Sequence, residues 1–354
     1  MLYELYDTEI NPVFASCLLG VLIGLAFGVA AQLSRFCLRR SVVEFTFGRF
    51  PAFGVWLMAF LVALLGTQAL VLDGHLSFVE HRFHASALPI LTVLVGGALF
   101  GTGMVLTRGC ISRLTVLSAT GNLRAAICMA VFAIVAHAAL KGVLAPLRIG
   151  LGTVTLNVGD FASLGNLPGG TVPWVAISFV VLAAVIYRSG ARLSHLLLGA
   201  AIGMLVPLGW FGTGTFLQDA FDPIPMAAIS FTAPWADTLF WSVASTSIAA
   251  GFGTGLVGGT LLGGFLAAAS RGEVVLQSFE TPGQTMRYLS GAAMMGLGGV
   301  LAGGCTVGAG LSGTASLSLS AMLVLAVMIA SAWLASRLID GPPTPPRKAP
   351  GEQL

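Results

Sequence analysis

The sequence predicts an all-α, polytopic membrane protein with about nine transmembrane helices, short re-entrant helices between some of them, and an internal repeat of inverted sense. Three observations predict it. The 354 residues have a mean hydropathy of +0.93, and 56% are hydrophobic against 9% charged; a soluble domain carries about 25% charged residues. The apolar residues gather in stretches long enough to cross a bilayer. Two segments 195 positions apart share a glycine pattern that ends in cysteine. This composition excludes a soluble enzyme, a disordered chain and a secreted disulfide scaffold. A net charge of +3 gives no reason to expect nucleic acid.

A crossing helix needs about 20 largely apolar residues. By that rule spans fall at 13–31, 52–72, 89–106, 122–146, 172–187, 193–209, 238–269, 284–302 and 318–336. The seventh is rich in glycine, from Gly251 to Gly264, and is expected to be bent or broken. With the N-terminus outside, fourteen of the 17 Lys and Arg fall on the inner side, and only Arg82, Lys141 and Arg148 do not. Such a bias orients the chain with its N-terminus periplasmic and its C-terminus cytoplasmic. The first dozen residues hold Glu4, Asp7 and Glu9 and no Lys or Arg, unlike a signal peptide. One transmembrane domain is expected over 1–337, followed by a Pro-rich, disordered cytoplasmic tail at 338–354.

The repeat is strongest between GGALFGTGMVLTRGC at 96–110 and GAAMMGLGGVLAGGC at 291–305, which agree at eight of 15 positions. A weaker echo joins 24–40 to 97–113, and a fainter copy at 199–212 has Gly212 at the cysteine position. Span 3 ends inside and span 8 outside, so the unit is inverted. The first repeat covers about 13–146, a linking span 172–187, and the second repeat about 193–336. Inverted repeats characterise transporters with a site near the membrane midplane.

Each strong copy runs a glycine-spaced helix into a break that holds a cysteine. The stretches that follow, 38–47, 111–120 and 306–315, are too short to cross and are expected to be re-entrant helices. Cys37, Cys110 and Cys305 then lie at helix starts, where unpaired N–H groups and the dipole attract an anion. Arg35, Arg39, Arg40, Arg108 and Arg113 flank the two inner cysteines and are expected to concentrate anions there. Thr306, Ser312 and Thr314 offer neutral hydroxyls around Cys305. A free cysteine is often only a small packing residue; three at equivalent turns point to a path, while Cys17 and Cys128 lie outside this grammar.

The segments QLSRFCLRR at 32–40, LTRGCISR at 106–113 and LAGGCTVGAGLSG at 301–313 resemble the three cysteine motifs of the YeeE/YedE family. The resemblance covers everything but the tail. It implies a bacterial inner-membrane importer of a sulfur-containing anion, most of all thiosulfate, with Cys37, Cys110 and Cys305 along the central path and hydrogen bonding rather than a lasting covalent step. It also implies a cytosolic sulfur-carrier partner of the TusA type. The sequence departs from the family pattern at the second motif, where Arg108 and Arg113 stand at positions usually held by glycine. Thiols are soft, weak donors and acceptors, suited to a sulfur end that must bind and leave.

The alternative is a membrane-embedded sulfurtransferase or thiol-redox relay, which the lack of a C-x-x-C pair and an adjacent base disfavours. A soft-metal permease is opposed by the arginines. No Walker A, G-x-S-x-G or H-E-x-x-H motif is present, so no enzyme activity, cofactor or resident metal is expected. His75, His81 and His84 are expected on a solvated outer loop. His137 and Lys141 share a helix face in span 4, where a buried functional pair and a snorkelling lysine are both open.

Overall fold

The computed structural model of the protein describes residues 11–219 and 223–339. Its helices run α1 Pro12–Ser34, α2 Leu38–Thr46, α3 Pro51–Leu72, α4 Ile90–Leu106, α5 Ile111–Ala119, α6 Leu123–Lys141, α7 Ala145–Gly152, α8 Thr171–Arg188, α9 Leu193–Phe211, α10 Thr232–Ala244, α11 Phe252–Ala269, α12 Pro282–Leu301 and α13 Leu319–Ile339. Two-residue strands, Ala87–Leu88 and Leu156–Asn157, pair antiparallel between connecting loops. The starts follow local chemistry: proline in the first turn of α1, α3 and α12 needs no donor there. The side chains of Asn11, Asn122 and Thr281 accept from the first free N–H groups of α1, α6 and α12.

Among the described residues, eight helical segments are long and apolar enough to cross a membrane. The predicted eighth span, α12, is of crossing length but falls short in hydropathy. It carries Gln284 and Arg287 near its start and packs its glycine-rich remainder against α4 and α6. By contrast α8 buries only Ile186, leaving Val172, Ile177, Phe179, Val180 and Val181 exposed. A helix apolar all round with so little protein against it faces lipid.

Three expected elements differ. The span drawn over 238–269 is two helices: the 13-residue α10, only about 20 Å long and too short to cross, then 245–251, then α11. The Ser-Thr-Ser-Ile-Ala-Ala-Gly link at 245–251 lowers helix propensity without lowering hydropathy much. The span drawn over 122–146 stops at Lys141, and Pro146 in the first turn of α7 opens a separate helix. The stretch after Cys305 is no α-helix but a single π-helical turn, Gly308–Gly313. In the fainter copy, Gly212 begins a π turn that continues α9, and the short helix α10 starts only at Thr232. Of the expected tail, 338 and 339 still belong to α13; the rest lies outside the described residues.

Glycine governs how the long helices meet. On α1, Gly20, Gly24 and Gly28 face the carbonyls of Phe252, Leu256 and Thr260, while on α11 Gly255, Gly259 and Gly263 face those of Cys17, Val21 and Leu25. A methyl at any of the six would overlap backbone oxygen. The same device joins α4 to α12, where Gly96 meets Gly298 and Gly103 meets Gly291. Between α9 and α3, Gly199 and Gly203 face the carbonyls of Val55 and Ala59. Hydrophobic burial does not drive such pairs in lipid, so backbone approach must. Overpacking of this kind costs about 1–3 kcal/mol. Gly259→Ala is therefore expected to lower the thermal unfolding midpoint of the detergent-solubilised protein. Gly258→Ala, where an added Cβ meets nothing within 4 Å, is expected to hold or raise it through helix propensity; equal effects would refute the contact argument.

Candidate functional site

Three cysteine turns share one backbone geometry. Two residues before each cysteine the chain turns left-handed: Arg35 at φ 54°, Arg108 at φ 56° and Gly303 at φ 74°. Each of these residues donates its N–H to the carbonyl three back, Gln32, Val105 and Val300. Phe36 and Gly109 close the first two turns further by bonding Ala31 and Met104, the helix stop in which an αL residue satisfies the last carbonyls. The cysteine then restarts the chain. Ser41, Leu114 and Ala309 donate to the carbonyls of Cys37, Cys110 and Cys305 at 3.1, 2.9 and 2.9 Å. Cys37 and Cys110 are the N-cap residues of α2 and α5, so the N–H groups that open those helices lie beside their sulfurs.

The left-handed region costs a non-glycine residue roughly 1 kcal/mol. Gly303 adopts it freely; Arg35 and Arg108 do not. Strain of this kind gathers at functional sites.

The structure brings Cys37 and Cys110 together, Sγ to Sγ at 3.9 Å, although 73 residues separate them. The Ser112 hydroxyl lies 3.2 Å from the Cys110 sulfur. Both thiols are within the protein, 7% and 1% exposed, so neither faces lipid. Cys305, wholly buried, is on its own turn: its sulfur accepts from the Gly308 N–H at 3.3 Å and makes no contact with the other two. That turn is tied down by Gln68 Nε2 donating to the Ala315 carbonyl at 2.7 Å and by the Ser312 hydroxyl donating to Ile229 at 2.8 Å. The Thr306 hydroxyl, next to Cys305, is buried without a partner among the described residues. Ser312 and Thr314 are committed to backbone carbonyls.

The five arginines divide. Arg113 is near both thiols, Arg35 and Arg40; its Nη1 donates to the Ala31 carbonyl at 3.3 Å and to Gln32 Oε1 at 3.2 Å. Arg40 is paired with Glu44 one turn along α2, at 2.7 Å. Arg35 and Arg108 are exposed at their turns, and Arg39 is half-buried. Two residues of this region were missed in the sequence. Gln32 lies inside the quoted QLSRFC segment, a polar residue at the end of an apolar helix, and was legible. Glu273 sits on the α11–α12 loop and accepts from Gln32 Nε2 at 3.0 Å across 241 residues, with no signal in the sequence.

A second feature lies over the Cys305 turn. A cavity of about 750 Å³ is lined by Gly308, Ser312, Ser230, Trp210, His81 and Arg82, with Glu80 and Asp237 also on its wall. Of the three loop histidines, His75 is exposed as expected, whereas His81, on the cavity wall, and His84 are half-buried. His84 Nε2 lies 3.1 Å from the Ser316 carbonyl, and the His81 ring sits 5.2 Å from that of Trp210. Burial, then the neighbouring charges of Arg82 and His84, push His81 down to about 4. His137 and Lys141 both turn to Phe240 of α10, at 4.9 and 5.7 Å from its ring, and Cys128 donates to the Tyr288 carbonyl.

Helices that face lipid, breaks held inside the protein and thiols at helix starts define a multi-pass membrane transport protein. The comparisons narrow the class. Residues 33–334 match the family model described as sulphur transport, and the chain belongs to that family. It is 26% identical over 350 residues to the thiosulfate transporter TsuA of Escherichia coli K12, covering 92% of this chain and 95% of that one. It is 25% identical over 336 residues to the thiosulfate transporter TsuA of Spirochaeta thermophila, covering 89% and 96%.

Two outcomes follow from this geometry. Arg108→Gly removes the left-handed strain and is expected to raise the thermal unfolding midpoint, by about 1 kcal/mol of stability, while slowing anion transport; a lower midpoint would contradict the strain assignment. His81 is neutral in the folded loop and ionises near 4, below its ordinary 6.5. The unfolded loop therefore takes up the proton first, and stability is complete above about pH 6.5 and falls as pH drops toward 4. Amide protection over 73–89, measured as hydrogen exchange relative to the intrinsic rate at each pH, is expected to fall across that window, and His81→Gln is expected to flatten the dependence.

Proposed function

We propose that the protein imports thiosulfate across a bacterial inner membrane, with its N-terminus periplasmic and its C-terminus cytoplasmic, along a path on which Cys305, Cys110 and Cys37 act in turn. The single observation that carries this reading is the pair of sulfurs 3.9 Å apart, each at the start of a short helix. A dianion inside protein needs donors that replace water, and thiols at helix starts supply weak donors beside fixed N–H groups. Several weak positions in series let the ion leave as well as arrive. The relatives named thiosulfate transporters span nearly their whole length on this chain, which supports the substrate.

Two halves of opposite sense support the path. A shift of 195 carries Gly96 onto Gly291 and Gly103 onto Gly298, and the contacts pair Gly96 with Gly298 and Gly103 with Gly291. That reciprocal exchange is what a two-fold axis produces. The wider packing obeys the same exchange: α1 packs on α11 as α9 packs on α3, and α4 on α13 as α12 on α6. The cavity above the Cys305 turn is the outer mouth, and the arginine-rich turns of Cys37 and Cys110 face the cytoplasm. Moving a dianion inward against 100 mV, inside negative, costs roughly 4–5 kcal/mol. Consumption inside, through a sulfur carrier of the TusA type, offsets that gradient.

The 3.9 Å separation also favours a second reading, a sulfurtransferase relay in which the thiolate of Cys110 attacks the outer sulfur of thiosulfate, the S–S bond breaks with release of sulfite, and the resulting persulfide hands its sulfur to Cys37. Serine separates the two, because it keeps a hydrogen-bonding group and cannot carry covalent sulfur. In cells lacking other importers, uptake of labelled thiosulfate is expected to fall about tenfold or more in Cys110→Ala, the loss of one hydrogen bond to a charged group. Cys110→Ser is expected to retain most of it. Full uptake in both, or none in either with a mass-detected sulfur adduct on the native thiol, would overturn the conducting path.

A further inference from the structure

The cation nearest the thiol pair is not loose. Arg113 is on α5, three residues after Cys110, and its Nη1 is shared between the Ala31 carbonyl and Gln32 Oε1 at the end of α1. The amide of Gln32, itself 7% exposed, has its oxygen on Arg113 and its nitrogen on Glu273 Oε2, at 3.0 Å. An amide can satisfy a cation on one side and a carboxylate on the other in one orientation only. Glu273 thus selects how Gln32 points, and Gln32 in turn holds Arg113. Glu273 is anchored in its own right: Arg271 pairs with it at 3.2 Å. The loop that carries it is bonded across the α5–α6 turn, with Val275 and Gln277 donating to Thr120 and Gly121 and Leu123 donating to Gln277. Three separate parts of the chain therefore converge on one guanidinium.

We propose that Glu273, acting through Gln32, is the positioning residue for Arg113, and that replacement of Gln32 by the passing anion on Arg113 is the release step on this face of the membrane. The inference rests on the transport path above and adds to it the group that sets how firmly the inner cation is held. Charge-assisted hydrogen bonds are about twice as strong as neutral ones. A neutral amide between the two charges gives a hold that an anion can displace. A carboxylate in direct contact with Arg113 would give one it cannot. Cys37 and Cys110 are both buried, and Arg113 lies near the two of them.

The test moves the charge without changing the size of the side chains. In the double variant Gln32→Glu with Glu273→Gln, the carboxylate contacts Arg113 directly and an amide stands behind it. In Glu273→Gln alone, the network keeps its shape and loses its charge; in Gln32→Leu the network is cut. The readout is the rate at which a membrane-impermeant maleimide, added to either side of vesicles, modifies Cys110, located by mass spectrometry. Maximal thiosulfate uptake rate and KM are measured in parallel. Expected is labelling about tenfold faster in Gln32→Leu, with a raised KM, and a smaller rise in Glu273→Gln. The double variant is expected to label more slowly than the native protein and to lose maximal rate with KM little changed. A purely structural role would shift all variants the same way, and that result, or no shift in any, would overturn the proposal. Gln32→Leu that fails to give a monodisperse protein leaves the opposed pair, Glu273→Gln against the double variant, to decide. Labelling requires no transported substrate, so failure of thiosulfate uptake in the native protein would count against the function and not against the positioning role.

Discussion

Backbone contact between glycine-faced helices is the constraint on which the rest of this structure depends. With Gly20, Gly24 and Gly28 set against the carbonyls of α11, and Gly255, Gly259 and Gly263 against those of α1, the two helices are locked at one offset. The same holds for α4 and α12 through Gly96, Gly103, Gly291 and Gly298. Once these offsets are fixed, so are the depths at which α1, α4 and α12 stop. The three cysteine turns follow those stops directly. A larger residue in any of these contacts would displace a helix end, and the sulfurs of Cys37 and Cys110 would no longer meet.

The electrostatics follow from burial. An unpaired charge inside a low-dielectric region is penalised by several kcal/mol after relaxation, and this applies to the resident cations as much as to a visiting anion. The structure handles the cations unequally. Arg40 is paired with Glu44. Arg113 is solvated by a carbonyl and an amide rather than by a carboxylate, which leaves its charge largely unneutralised close to the thiols. Arg35 and Arg108 remain exposed and strained. A guanidinium held by neutral oxygens is the arrangement that attracts an anion most for the least disruption, because no ion pair has to be broken first.

The long helices were legible because lipid leaves a compositional mark: among the described residues eight helical segments are long and apolar enough to cross, and most predicted ends lay close to those observed, the start of α11 and the end of α6 excepted. A break in the seventh span was legible from its glycines, but not its place, since Ala, Ile and Gly at 245–251 keep hydropathy high while Ser245, Thr246 and Ser247 weaken the helix. The cysteine turns were legible from their spacing, and so was their shared grammar. The conformation at Arg35 and Arg108 was hidden, because only glycine advertises a left-handed residue and the third turn alone uses one. The histidine loop was misjudged for a related reason: His81 and His84 look like solvent residues in sequence, but Trp210 and Ser316, distant in the chain, cover them. Glu273 could not have been found, because nothing local marks a carboxylate that serves an amide 241 residues away.

The two arginines that set the second cysteine motif apart therefore do different work. Arg108 holds a strained backbone position and exposes its charge at the mouth of the turn. Arg113 is drawn inward, next to both sulfurs, by contacts that belong to α1 and to the α11–α12 loop. Glycine at the first position would relax the turn and leave the interior untouched. Glycine at the second would leave the turn as it is and strip the Ala31 carbonyl and the Gln32–Glu273 pair of the charge they are arranged around. Without Arg113 the buried Gln32 amide oxygen would lose its donor, which is unfavourable, whereas the half-buried Glu273 would keep Arg271; the packing beside the thiol pair therefore depends on Arg113 more than on Arg108.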